Sequence, residues 1–191
     1  IQFTVRGVPV SYYGEEIGMH EANIPFKEAK DPIAVKYRHI PKFLTDIFGI
    51  YINRDGCRTP MQWDSSDNAG FTKSSYPWLK VNSSYKEFNV ENELNDHSSL
   101  LNNYKNLLNI RKSYQAFRLG KMQLFNSDKN LLCYKRKLDN QEFTVICNFS
   151  NKACFPKCIF PGDVIFSTYA EDGSFKKLRP YEGIIITNSA G

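Results

Sequence analysis

Arg54-Asp55-Gly56-Cys57-Arg58-Thr59-Pro60-Met61-Gln62-Trp63-Asp64 is the stretch on which the reading of this chain turns. It sets two guanidinium groups on one short loop, follows them with a turn-forming Thr-Pro pair, and ends beside a large aromatic. Each guanidinium presents several rigid donors, a fork suited to a hydroxyl-rich neutral ligand or to a partner carboxylate. The residues alone leave two readings open. Arg54 and Arg58 bind a ligand, or they order the loop through salt bridges with Asp55 or Asp64. Met61 and Trp63 read as packing anchors, although a Trp face also suits stacking on a sugar ring.

The segment around this run, Gly14 to Lys80, shows little sustained periodicity and is punctuated by Pro25, Pro32, Pro41, Pro60 and Pro77. A long irregular loop in a compact protein usually carries function. A short helix is expected within it over Ala34–Phe48. Upstream, Ile1–Arg6 closed by Gly7 reads as a helix end, and Val8–Tyr13 as a short buried strand. Helix, glycine and strand in that order form an αβ unit of a parallel sheet, with no further strands here to pair with. With Ile1 rather than Met at the start, the expectation is a piece of a longer protein.

Downstream, Leu100, Leu101, Tyr104, Leu107, Leu108 and Arg111 recur at helical spacing, predicting a helix over Asp96–Lys112 with Asp96 as its N-cap. Arg111 and Lys112 suit the negative end of its dipole. After Tyr114 the texture changes. Lys121–Phe125, Leu131–Lys137, Phe143–Phe149, Val164–Thr168 and Gly183–Thr187 are rich in β-branched and aromatic residues. Asp139-Asn140, Pro161-Gly162 and Asp172-Gly173 supply turns between them. Strands without intervening helices predict a separate antiparallel β-sandwich. The expected domains are residues 1–115 and 116–191.

Composition bounds the partners. The 191 residues carry a formal net charge of +5, but the excess is scattered. Its densest runs, Lys135-Arg136-Lys137 and Lys176-Lys177 with Arg179, read as solvated strand faces, and no nucleic-acid motif accompanies them. Of five cysteines, Cys57, Cys133, Cys147, Cys154 and Cys158, one stays unpaired under any full disulfide scheme. No histidine lies near Cys154 and Cys158 in sequence, so no zinc site is expected, and reduced cysteines fit a cytoplasmic protein. Asn82-Ser83-Ser84 and Asn148-Phe149-Ser150 are sequons of a kind that arises easily by chance. No run is long and apolar enough to span a membrane, and no signal peptide is visible.

Four segments resemble, in order, the α-glucosidase and oligo-1,6-glucosidase branch of the α-amylase family, glycoside hydrolase family 13. They are Gly7-Val8-Pro9 through Met19, Arg54 through Asp64, Asn68-Ala69-Gly70-Phe71-Thr72 through Asn82, and Ser99 through Lys112. The tail, with Arg179-Pro180-Tyr181-Glu182-Gly183, is similar to the family's C-terminal β-domain. The resemblance implies α/β plus all-β architecture: the C-terminal end of a (β/α)8 TIM barrel followed by the sandwich. It implies a retaining enzyme that removes terminal α-linked glucose from short oligosaccharides, with Arg54 and Arg58 as substrate-binding residues. The segment between Met19 and Arg54 departs from the oligo-1,6-glucosidase pattern. Ile24-Pro25-Phe26 and Asp31-Pro32-Ile33 resemble a bacterial α-glucosidase subgroup instead.

Retaining glycosidases need two carboxyl groups about 5–5.5 Å apart across the scissile bond. Glu15 and Glu16 are adjacent on an extended segment and point to opposite sides, so they cannot both face one anomeric carbon. Both are expected to shape a turn by hydrogen bonding. The resemblance assigns the nucleophile, the acid/base and a third acid to strands four, five and seven, so no catalytic residue is expected here. No cofactor is called for, and any calcium would belong to the N-terminal barrel loops. His20, His39 and His97 show no ligand spacing, and Ser11 forms no nucleophile elbow. The expected partner is an α-glucoside disaccharide or oligosaccharide, with no nucleic acid and no membrane. Two other readings share these motifs. One is a non-catalytic glucosidase-like subunit of the amino-acid transporter heavy-chain type; the other is a sucrose or maltose isomerase or transglucosylase.

Overall fold

A computed structural model of the chain describes residues 1–125, 128–156, 161–169 and 177–188. Asp172-Gly173, Cys158 and Lys176 lie outside the described residues. Two compact units are present: Ser11–Leu101 forms one, and Ile1–Val10 with Asn102–Gly191 forms the other.

The first unit holds helices α1 (Pro32–Lys36), α2 (Lys42–Ile47) and α3 (Val90–Asn95), with 3-10 turns before α1 and between α2 and α3. The helix expected over Ala34–Phe48 is therefore two helices. Pro41 separates them, since a proline ring inside a helix removes an N–H and clashes with the preceding turn. Helix α4 (Leu100–Ser113) begins at Leu100, not at Asp96. The Asp96 carboxylate is taken by a tight turn, accepting from Ser98 N at 2.8 Å and Ser98 Oγ at 2.7 Å. The first turn of α4 is capped from a distance, by Glu93 Oε2 accepting from Leu101 N at 3.0 Å.

The second unit is built on period-two patterning. Helix α5 (Ala116–Leu119) precedes strands β1 (Lys121–Leu124), β2 (Leu131–Leu138), β3 (Gln141–Asn148), β4 (Asp163–Ser167) and β5 (Gly183–Thr187). They form one antiparallel sheet in the order β1-β2-β3-β5-β4. Asp139-Asn140 makes the tight β2–β3 turn, with Leu138 paired to Gln141 and Asp139 in the left-handed region at φ 51°. Both faces of the sheet are covered. Tyr134, Phe143, Val145, Phe166 and Ile185 pack with Ala116 and Phe117 of α5, while Leu131, Cys133, Ile146, Leu178, Ile184 and Ile186 fill the opposite side. A sandwich needs a second sheet, and the named strands of the described residues all belong to this one.

The segment Val8–Tyr13 is not a strand. Val8 and Val10 are 89% and 79% exposed, and Pro9 has no N–H to give to a ladder. A strand exists through its neighbour's hydrogen bonds, and among the described residues no strand pairs with this segment. The preceding residues form a turn, with Thr4 N and Val5 N both donating to Ile1 O at 2.8 and 3.1 Å, and Gly7 at φ 129°.

Two arginines bind this opening segment. Arg111 is buried, donating through Nη1 to Phe3 O at 2.9 Å and Phe117 O at 2.8 Å, and through Nη2 to Gly7 O at 2.5 Å. The solvated face expected of Lys135-Arg136-Lys137 does not extend to Arg136. Strand alternation splits that run. Lys135 and Lys137 pair with Glu142 at 2.5 and 3.2 Å, while Arg136 points inward, fully buried, donating to Thr4 O at 2.5 Å and Gly120 O at 3.0 Å. Beside it, Tyr134 shares a hydrogen bond with Thr4 Oγ1, and burial pushes its hydroxyl pKa up to about 12.

Candidate functional site

The arginine-bearing run is held in the first unit by its own loop chemistry. Asn53 Oδ1 accepts from Asp55 N at 3.1 Å and Asn53 Nδ2 donates to Ile24 O at 2.9 Å, which starts a 3-10 turn over Arg54–Cys57. Gly56 sits where a side chain has no room: a Cβ there would lie 2.5 Å from Ala22 O. Its own carbonyl accepts from Ala22 N at 3.0 Å. Further along, Tyr13 Oη donates to Thr59 O at 3.0 Å, and Met61 and Gln62 are buried as anchors. Trp63 is half exposed.

The partner of the arginines is Asp31, not Asp55 or Asp64. Arg54 grips it with both edges of its fork, Nε to Oδ2 at 2.6 Å and Nη2 to Oδ1 at 3.0 Å, and adds its backbone N–H at 3.2 Å. Arg58 Nη1 approaches the same carboxylate at 3.8 Å. Asp31 also accepts from Ile33 N at 3.0 Å as the N-cap of α1, with Pro32 at the first helical position. One buried carboxylate thus orients two guanidiniums, while the Arg54 and Arg58 side chains stay 43% and 37% exposed. Both side chains thus keep surface that a hydroxylated ligand can reach.

Asp55 has turned inward. It is fully buried, and its Oδ2 accepts from Lys30 N at 2.6 Å and Asp31 N at 3.0 Å. Asp55 therefore fixes the backbone that presents Asp31. Its Oδ1 is buried with no partner among the described residues. Asp64 is used locally, accepting from the backbone and hydroxyl of Ser66. Sequence reasoning missed Asp31 as the hub, although Asp followed by Pro is a helix N-terminus signal that marks such a position.

The hydrogen bonds from Arg54 hold the Asp31 carboxyl far below the usual carboxylate range, against the opposing effect of burial; bonds from Ile33 and Arg54 backbone N–H groups assist. A carboxylate whose pKa is depressed on folding adds stability above its unfolded pKa of about 4, lost as pH falls toward the folded value. The arginine loop should therefore open in acid, beginning below about pH 4. Amide exchange at Ile33 and Arg54 across an acid titration reads this. An Asp31→Asn chain with the same acid profile as the parent would contradict it.

Glu15 Oε1 accepts from Ser11 Oγ and Glu16 Oε2 from Gly14 N, each at 2.7 Å, so both carboxylates shape the turn. Cys57, Cys133, Cys147 and Cys154 are free thiols. The sequon asparagines are engaged: Asn82 Nδ2 donates to His20 O at 2.9 Å, and Asn148, which is buried, donates to Lys152 O and Arg179 O at 2.8 Å each. No helix among the described residues is long and apolar enough to cross a membrane, and no metal-binding group of His, Cys, Asp or Glu is found among them.

The family model for the alpha amylase catalytic domain matches residues 1–120. An oligo-1,6-glucosidase of Heyndrickxia coagulans is 36% identical over 193 residues, covering 95% of this chain and 34% of that protein. An oligo-1,6-glucosidase of Parageobacillus thermoglucosidasius is 35% identical over 200 residues, covering 93% and 35%. Among solved structures, the trehalulose synthase MutB of Pseudomonas mesoacidophila MX-45 superposes with a TM-score of 0.83 at 27% identity, covering 97% of this chain and 36% of that one. The chain spans about a third of the length of these relatives.

Proposed function

Because the chain belongs to the α-amylase family, we propose that it forms one wall of the sugar site of a retaining α-glucosidase acting on short oligosaccharides. The observation that carries this reading is the pair of half-exposed guanidiniums held by buried Asp31. In this account Arg54 and Arg58 donate to hydroxyls of the bound glucose, and their fixed positive charge helps keep a nearby catalytic carboxylate ionised. The carboxylates that break the bond come from parts of the whole enzyme beyond these residues. Residues 1–115 belong to the end of the (β/α)8 barrel and residues 116–191 to a sandwich-type β-domain. The last long helix closes at Ser113 and every named strand follows it, which supports a boundary there, while the compact unit that holds the sheet also takes in residues 1–10 and 102–115. The free thiols among the described cysteines support a cytoplasmic setting.

A second reading has its own support. The likeness to trehalulose synthase favours an isomerase on the same scaffold. Product analysis of the full-length enzyme with maltose, isomaltose and sucrose separates the two. Glucose release from maltose or isomaltose is the expected outcome; conversion of sucrose to a rearranged disaccharide identifies the isomerase. The isolated chain should not turn over an aryl α-glucoside, and turnover above the uncatalysed rate would sink the assignment of its carboxylates to structural roles.

A further inference from the structure

The first unit carries a cleft formed by the segment after the arginine run. It opens to solvent, has a volume of about 700 Å³, and is lined by Asp67, Asn68, Tyr76, Lys80 and Tyr85 among others. That volume falls within the range of small-molecule sites, roughly 300–1,000 Å³. Tyr76 is 90% exposed at its edge, and Trp78, two residues on, is 67% exposed. An exposed aromatic ring at the edge of a cleft offers a flat apolar face to a ligand.

The loop that displays Tyr76 is built rather than slack. Asn68, Ala69 and Gly70 take successive left-handed conformations, φ 54°, 58° and 65°, a strained path for two residues that are not glycine. Ala69 O accepts from Trp63 N at 2.9 Å, tying that path to the arginine run. Asn68 Nδ2 donates to Ser74 O at 2.8 Å, Ser74 N donates to Thr72 Oγ1 at 3.1 Å, and Tyr76 N donates to Ser74 Oγ at 3.3 Å. Side chains thus stitch the backbone from Asn68 to Tyr76, so the ring is presented from an ordered frame. Tyr85, another residue of the lining, has the Lys86 ammonium 4.9 Å from its ring centroid, and Lys86 donates to Ser65 O at 3.1 Å.

We propose that this cleft is a second carbohydrate-binding site, taking an α-glucan oligosaccharide, separate from the Arg54/Arg58 wall. A pyranose ring offers an apolar C–H face and a rim of hydroxyls, and the cleft offers their complements. Tyr76 supplies a stacking face, the Asp67 carboxylate accepts from hydroxyls, and the Lys80 ammonium donates to them. The choice of α-glucan rests on the α-glucosidase reading above; the carbohydrate chemistry of the cleft does not.

The test is calorimetric titration of the chain with maltotriose, repeated on Tyr76→Ala, Tyr76→Phe and the Arg54→Ala/Arg58→Ala double variant. Loss of the stacking ring should weaken binding about tenfold. Tyr76→Phe keeps the ring and should bind like the parent, and the double arginine variant should retain the Tyr76-dependent binding. Tyr76 is so exposed that its replacement leaves the fold intact, which circular dichroism checks. Absence of binding at millimolar maltotriose, or equal binding by Tyr76→Ala, overturns the proposal. Hydrolysis by the full-length enzyme is scored separately. An active α-glucosidase with no Tyr76-dependent binding refutes this site alone, while Tyr76-dependent binding in a protein that hydrolyses no α-glucoside refutes the enzyme reading alone.

Discussion

Arg136→Ala should destabilise the second unit by about 3–5 kcal/mol, read from urea unfolding of the chain. The guanidinium is fully buried and its two backbone acceptors, Thr4 O and Gly120 O, lose their donors together. Each buried acceptor left unpaired costs about 1–3 kcal/mol, and truncation also leaves a cavity. Burial, and then the neighbouring charge of Arg111, hold the Arg136 pKa below its ordinary value, the sign of a cation kept dry. Its Nε has no partner among the described residues. Arg136→Met should therefore cost less than Arg136→Ala, because it fills the volume and removes a poorly compensated charge. An alanine variant within about 1 kcal/mol of the parent would show that the two carbonyls find water instead.

Arg54→Ala in the full-length enzyme should lower kcat/KM on a short α-glucoside by about 100-fold or more, the scale of misplacing a substrate-positioning group. Two losses combine in that number. The substrate loses charge-assisted donors, and Asp31 loses the bidentate partner that keeps it ionised and in place. Arg54→Lys should recover little, because an ammonium cannot span both Asp31 oxygens as a planar fork does. Circular dichroism of the variants separates this local loss from unfolding.

The parts legible in the sequence were those governed by local rules. Gly183–Thr187 was read as a strand from its β-branched run and is one, and Asp139-Asn140 was read as a turn and joins β2 to β3. The same alternation could have shown that Arg136 faces away from Lys135 and Lys137. Three features were not legible. Val8–Tyr13 has a strand's composition, but a strand is made by its neighbours. Asp31 and Arg54 lie 23 residues apart across prolines and short helices, and no periodicity links them. The arginines could be picked out because a long run around them resembles a known family. The carboxylate that orients them had to be found in three dimensions, as did the cleft behind Tyr76.

The most direct test of the account is a double-mutant cycle on kcat/KM in the full-length enzyme, using Asp31→Asn, Arg54→Ala and both together. If Asp31 acts by holding the arginines for the sugar, each single change is severely damaging and the double loses far less than the product of the two single losses. Losses that simply multiply, or an Arg54→Ala enzyme as active as the parent, would contradict it.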